Sequence, residues 1–375
     1  MRRFGREEID AVLEVLRRDP VCLSGYYRNP RGGPSVQRFE EALARYHRVK
    51  HAVCVSNGTC ALHVALLACG IGPGDEVITT PLTFSATATS ILMCGATPVF
   101  VDVDPRTYNL DPSKVGGAIT DRTAAIVPVH LLGTPADMDP IMEIAAKHDL
   151  WVIEDNAQCL GGRYKGRLTG TIGQLSILSF QETKPITALG EGGAILTNDD
   201  GLAEKCRYLR NHGSQYGEVP YLTFNYRMTE AAAAFGRVQL GRVDEFNRIQ
   251  RRNAEILIKN LPDGIRPPHI PDYAEPTRYI LGCIAEEGFL REKFVEDMTK
   301  IGVNKNLPGA TISLGYQKTL MDLPLLRPFK RPCPVAEDLV RHFLFFDCMR
   351  WRSEDEAKKI AEKIRGEERF GWGER

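Results

Sequence analysis

The chain has 375 residues, 43% hydrophobic and 26% charged, the balance of a soluble globular protein long enough for two domains. Its 48 Lys plus Arg equal its 48 Asp plus Glu, so it lacks the basic excess of a general nucleic-acid binder, and no nucleic-acid partner is expected. No apolar run approaches the ~18 residues of a membrane span, and no membrane partner is expected either.

The segment MRRFGREEIDAVLEVLRR starts basic but is interrupted by Glu7, Glu8, Asp10 and Glu14. It reads as an amphipathic helix with Ile9, Leu13 and Leu16 on one face, rather than as a signal peptide. Residues 51–56 (HAVCVS) form a short strand, and 59–69 an almost wholly apolar helix closed by Gly70. A strand at 76–81, a helix at 83–94 and a strand at 98–104 follow. Residues 124–130 are the next strand, then a helix near 139–148 and the strand 151–155 (WVIED). Strands at 176–180 and 194–197 complete the set. Continuous apolar strands separated by helices predict an α/β fold whose mostly parallel sheet is covered on both faces.

From 229 to 261 the chain reads as helix throughout, ending at Pro262. A proline-rich connection then leads to segments at 277–285, 288–301 and 353–364, which suggest a smaller α/β unit. The expected division is a large domain over 1–250, including the N-terminal helix, and a small C-terminal domain over 251–375.

The ten cysteines contain no C-x-x-C pair, and the eight histidines form no H-E-x-x-H cluster. Cys54, Cys69 and Cys94 fall in apolar runs, where a thiol behaves as a small core hydrophobe. Reduced cysteines in a cytoplasmic protein, with no metal site, are the expectation.

Three constellations carry chemistry. Ser56-Asn57-Gly58-Thr59 lies where a strand turns into a helix, either as an anion site on the helix N-terminus or as a plain cap. The cluster Gly70-Ile71-Gly72-Pro73-Gly74 follows a helix and precedes a strand, the reverse of the dinucleotide-binding order. Asp155, at the end of WVIED, is a functional carboxylate at a strand's carboxyl end or a turn residue. Lys184, between a strand and the turn Gly190-Glu191-Gly192-Gly193, is a solvated loop lysine or a desolvated nucleophile. Lysine, acid and phosphate-type turn together make up the parts of a pyridoxal phosphate site.

The segments VSNGTCALHVALLACGIGPGDEVITTPLTFSATA, GATPVFVDVDP, VIEDNAQCLGGRYKG, LSFQETK, GEGGAILTND, LRNHG and FNYRMTE resemble, in this order, the DegT/StrS aminotransferases. The resemblance implies a fold-type-I transferase dependent on pyridoxal 5'-phosphate, with a large domain built on a mostly parallel sheet and a smaller α/β C-terminal domain. It implies that Lys184 is the Schiff-base lysine, that Asp155 holds the pyridine nitrogen protonated, and that Gln158 meets the ring hydroxyl. Phe84 would stack on one ring face and Ala157 leave room on the other. Gly58, Thr59 and Ser179 would bind the phosphate, joined by Asn225 from the second subunit of a homodimer with shared sites. From the residues alone, Asn225 could equally cap the helix beginning near 229.

The implied reaction moves an amino group from an amino acid, glutamate or glutamine, to the keto sugar of a sugar nucleotide. A keto-cyclitol acceptor and a non-catalytic cofactor-binding regulator are the alternatives. The stretch PITALG after Lys184 and ISLGYQKTLMDLP in the C-terminal third depart from the common pattern, and they leave the substrate open.

Overall fold

The computed structural model describes residues 4–18, 23–26, 29–213, 222–303, 312–347 and 353–365. Helices α1 (Arg6–Arg18) and α2 (Pro34–His47) precede β1 (His51–Val55), α3 (Gly58–Ala68) and β2 (Glu76–Thr79). Then come α4 (Ala86–Met93), β3 (Thr97–Phe100), the short α5 (Pro112–Val115), β4 (Thr123–Val127), α6 (Met138–His148) and β5 (Trp151–Asp155). A small hairpin, β6 (Arg163–Tyr164) and β7 (Arg167–Leu168), leads to β8 (Leu175–Ser179) and β9 (Gly193–Thr197). Helices α7 (Asp200–Arg210), α8 (Glu230–Leu240) and α9 (Val243–Ile258) follow. The C-terminal part holds β10 (Ile265–Arg266), β11 (Ala274–Glu275), β12 (Ile280–Ala285), α10 (Arg291–Lys300), β13 (Ile312–Ser313), α11 (Pro334–Leu339), β14 (Phe343–Asp347) and α12 (Glu354–Arg365).

The seven strands of the central sheet run in the order β1-β9-β8-β5-β4-β2-β3. The α/β fold with a mostly parallel sheet is as expected. Only β9 runs against its neighbours, pairing antiparallel with both β1 and β8. Its link from β8 carries no helix, so the chain turns back beside the strand it has just left. Alternation along the strands divides the core. Val53, Val55, Ile153, Leu175 and Ile177 pack with α3, while Ala52, Cys54, Leu178 and Leu196 pack with α2 and α8. Burial on both faces explains why these strands read as unbroken apolar runs.

The C-terminal residues form an antiparallel sheet, β10-β12-β14-β13. Its core joins Leu281, Cys283, Leu344 and Phe346 to Phe294 and Met298 of α10, Ala357 and Ile364 of α12, and Ala254 and Leu257 of α9. Among the described residues no helix is long and apolar enough to cross a membrane. The cysteines among them are free thiols, nearly all buried; Cys22 and Cys348 lie outside the described residues.

Two sequence expectations need correction. The helix read as continuous over 229–261 is two helices, broken at Gly241–Arg242. Periodicity runs through the break because its cause is tertiary: Glu8 of α1 takes the Arg242 guanidinium at 2.9 Å and the Gln239 amide at 2.7 Å. The same contacts set the rotation of α1. Glu8 and Val15 are buried, whereas Ile9 and Leu16 of the expected apolar face stay exposed.

A buried ion pair ties the N-terminal helices to the sheet. Arg210, fully buried, donates to Glu40 and to the Cys54 carbonyl, and Glu40 accepts the Cys54 N–H. Arg210→Met would strand the Glu40 carboxylate in the core, a change that typically costs about 3–5 kcal/mol. Urea unfolding followed by circular dichroism should show that loss. A shift below about 1 kcal/mol would mean that water or relaxation rescues Glu40.

Candidate active site

A cavity of about 740 Å³ opens beyond the carboxyl ends of β1, β5 and β8. Gly58, Thr59, Phe84, Asp155, Ala157, Gln158, Ser179 and Lys184 all line it, so residues spread over about a third of the chain meet in one place. Asn225 is the exception. It is exposed and bridges to Asn211, away from the cavity of its own chain. Its capping alternative is excluded, because Thr229 is the residue that caps α8, its side chain accepting the Ala232 N–H.

Asp155 is 4% exposed. One carboxylate oxygen accepts the Thr87 hydroxyl at 2.8 Å and the other accepts the Ala157 N–H at 3.2 Å. Burial pushes its pKa above the ordinary value, against the pull of those two donors and of the Lys184 charge. Its neighbour Glu154 points to the opposite face and is fully satisfied, by His130 at 2.9 Å and by the N–H groups of Gly170, Ile172 and Gly173. Burial alone would raise Glu154, but His130 and those backbone donors hold it below its usual value. Two adjacent carboxylates thus have opposite fates. Glu154 fixes the loop after β5, and Asp155 keeps a demand for positive charge facing the cavity.

The capping reading of the Ser56–Thr59 turn holds, and it leaves the helix N-terminus open to the cavity. Asn57 caps α3 by accepting the Cys60 N–H at 2.8 Å, while the first turn of α3, at Gly58 and Thr59, faces the cavity. Gly58 is required by close approach, since a Cβ there would lie 2.8 Å from Ser179 Cβ. Ser179 ends β8, and its backbone is held in register opposite Gly193. Helix N-terminus, Thr59 and Ser179 form a small concave set of neutral donors, suited to a phosphate.

Lys184 is not a loop lysine lost to solvent. It is half-buried, with Nζ 5.2 Å from the centre of the Tyr279 ring. The unusual PITALG stretch is anchored by Ile186 and Ala188, buried against Phe180 and Phe39, and by the Ala188 N–H to the Phe180 carbonyl. The lysine therefore sits on a fixed turn despite Pro185.

Sequence reasoning missed several lining residues. Thr87 stands one helical turn beyond Phe84, a spacing that could have flagged it. Phe345 comes from the C-terminal sheet and Tyr279 and Tyr316 from the segments flanking its strands, whose approach to the cavity no local pattern announces.

A buried acid, a lysine on a rigid turn and a helix N-terminus meeting in one cavity of this sheet are the arrangement of a pyridoxal phosphate-dependent enzyme. The profile of the DegT/DnrJ/EryC1/StrS aminotransferase family matches residues 5–365, and the chain belongs to that family. It is 45% identical over 309 residues to GDP-perosamine synthase of Caulobacter vibrioides, covering 80% of this chain and 81% of that protein. It is 39% identical over 323 residues to L-glutamine:2-deoxy-scyllo-inosose aminotransferase of Micromonospora echinospora, covering 82% and 76%. The crystal structure of S. venezuelae DesV superposes with a TM-score of 0.87 at 32% identity, covering 97% of this chain and 94% of that one.

The residues fit the family's cofactor. Asp155 offers a buried anion to a protonated ring nitrogen, the exposed Phe84 ring offers a flat face, and the Gly58–Ser179 cradle is open only because Gly58 lacks a Cβ. Gly58→Ala should weaken pyridoxal phosphate binding at least ~10-fold, about 1.4 kcal/mol, while leaving the fold intact. Fluorescence titration of apoprotein measures it. Unchanged affinity would place the phosphate elsewhere.

Proposed function

We propose that the chain transfers an amino group from glutamate or glutamine to the ketone carbon of a keto sugar carried on a nucleotide. The observation that carries this reading is the meeting of Asp155, Lys184 and the Gly58–Ser179 cradle in one cavity. Relatives acting on nucleotide sugars support it: GDP-perosamine synthase, and a Pseudomonas aeruginosa UDP-2-acetamido-2-deoxy-3-oxo-D-glucuronate aminotransferase, 45% identical over 209 residues that cover 56% of this chain and 56% of that protein. A keto-cyclitol acceptor is the second reading. It is favoured by the match to the inosose aminotransferase. The free, buried thiols suit the cytoplasm.

When bound, pyridoxal phosphate supplies the electron sink and stores the amino group between the two half-reactions. In this reading Lys184 holds the cofactor covalently, and its amine then carries a proton to and from the substrate carbon. Asp155 keeps the ring nitrogen protonated, so that negative charge created at the substrate carbon can be drawn away from it. Thr87 and the Ala157 N–H hold Asp155 in place for that task. Gln158 donates to the ring hydroxyl, Phe84 and Ala157 bound the two ring faces, and Gly58, Thr59 and Ser179 hold the phosphate.

A panel of keto sugar nucleotides and keto-cyclitols, offered with glutamate or glutamine and read by product mass, tests the assignment. Amination of a sugar nucleotide alone is the expected result, and amination of cyclitols alone would select the second reading. Lys184→Ala should lose turnover and also the cofactor linkage that borohydride traps on the wild-type chain. Trapping on Lys165 or Lys147 instead would refute the assignment.

The functional unit in this reading is a homodimer in which Asn225 completes the phosphate shell of the partner. Asn225 is exposed and absent from its own cavity, and a phosphate has more acceptor sites than Gly58, Thr59 and Ser179 fill. Pairing wild type with the double variant Asn225→Ala, Lys184→Ala leaves one lysine-bearing site in the heterodimer. Weakened cofactor affinity at that site is expected if Asn225 crosses over. Full affinity there would show that each chain's site is self-contained.

A further inference from the structure

Two threonines of α4 spend their hydroxyl hydrogens differently. Thr89 turns back to the Ser85 carbonyl at 3.0 Å, the usual bond of a threonine inside a helix. Thr87, buried on the same helix, instead donates to Asp155 Oδ2 at 2.8 Å. A hydroxyl has one hydrogen and two acceptor lone pairs. With that hydrogen committed to the carboxylate, the Thr87 oxygen can only accept from its second neighbour, the Thr83 hydroxyl 3.1 Å away. Thr83 is therefore the donor of that pair. The three groups form a one-way chain, from Thr83 through Thr87 to Asp155.

Thr83 is itself buried, in a segment before α4 that is held from two sides. The Leu82 N–H donates to the Thr80 hydroxyl at 3.1 Å, and the Pro81 carbonyl accepts the Leu320 N–H at 2.9 Å. The start of the chain is thus fixed by backbone contacts that do not involve Asp155. Accepting a hydrogen bond polarises the Thr87 hydroxyl and strengthens the bond it donates. A stronger donor favours the ionised carboxylate, which burial opposes.

We propose that Thr83 is a positioning residue that acts through Thr87, its hydroxyl directing the Thr87 hydrogen onto Asp155 and so keeping that carboxylate an oriented anion. The inference rests on the reading of Asp155 given above, in which the carboxylate meets the protonated ring nitrogen of the cofactor. It carries the support of that contact one residue further, to the segment that enters α4.

The test compares the binding of pyridoxal 5'-phosphate to the full chain with that of an analogue in which carbon replaces the ring nitrogen. The two share a shape, but only the natural cofactor can pair with an anion at that position. The ratio of their dissociation constants therefore reports the Asp155 contact and cancels changes in packing. Wild type should prefer the natural cofactor by at least ~100-fold. Thr87→Val should lower that preference about tenfold, and Thr83→Val roughly two- to threefold. Thr83→Ser, which keeps the hydroxyl, should retain the wild-type ratio. In the Thr87→Val background Thr83→Val should add nothing, because the two act in series. A Thr83→Val effect that persists there would overturn the proposal, as would equal losses in Thr83→Ser and Thr83→Val. So would a weakening of both ligands by Thr83→Val at an unchanged ratio, which would make Thr83 a packing residue only. If wild type binds the two ligands equally, the assigned ring contact of Asp155 fails and takes this proposal with it. A lowered ratio in Thr87→Val without one in Thr83→Val overturns this proposal alone.

Discussion

Burying two consecutive carboxylates at the end of one strand is the constraint around which the rest of the site is arranged. Each would cost several kcal/mol if left without partners. Because successive residues of β5 face opposite ways, Glu154 and Asp155 draw on different parts of the fold. Glu154 collects an imidazole and three backbone N–H groups and becomes a rivet holding the loop from Gly170 to Gly173. His130, whose other ring nitrogen accepts the Ala136 N–H at 3.0 Å, is in turn fixed by that pairing. Asp155 receives two neutral donors only, enough to orient it and too few to cancel its charge. In the proposed reading, the compensation it still needs is what a protonated ring nitrogen would provide.

Everything else converges on that carboxylate from elements with their own reasons to be rigid. The cradle depends on α3, a helix so largely buried that its sequence is almost wholly apolar, with Asn57 closing its first turn. Lys184 depends on the β8–β9 reversal, whose far end is pinned by Ile186 and Ala188 in the core beneath α2. Thr87 comes from α4, and the opposite wall comes from β12, β14 and the segment after β13. A cavity built from this many independent supports tolerates change in any one wall without losing the central geometry. That is the physical basis for one family serving many substrates.

How much of this was legible beforehand follows from where each signal resides. The parallel core could be read because double burial makes a strand uniformly apolar, and Asp155 because a charged residue ending such a run needs a reason. Asn57, Gly58 and Lys184 were visible but ambiguous, since caps and loop lysines look the same in sequence as ligand-binding turns. Only the ordered set of motifs turned those ambiguities into expectations. The break at Gly241–Arg242 and the rotation of α1 could not be read, because both are set by Glu8, a contact across more than two hundred residues of chain. Tyr316 was out of reach for a similar reason: its position depends on how Phe343 and Phe345 of β14 meet Gly315, and nothing local encodes that.

The charge of the cavity gives the last step. Among its described lining residues Lys184 is the only basic side chain, facing Asp155 and Glu191. A cofactor phosphate held by neutral N–H and hydroxyl groups needs no further cation at the helix N-terminus. The diphosphate of a sugar nucleotide and the carboxylates of an amino-acid donor are different, because each brings negative charge to a site whose own lysine is committed to covalent work. In the proposed reaction, counter-charges for them would come from beyond the described lining. On the proposed dimer the segment carrying Asn225 also carries Arg227, half-buried two residues on. In that proposed dimer the Arg227 guanidinium, which donates to Asn211 at 3.3 Å and lies over the Tyr26 ring, would be the basic group carried beside Asn225.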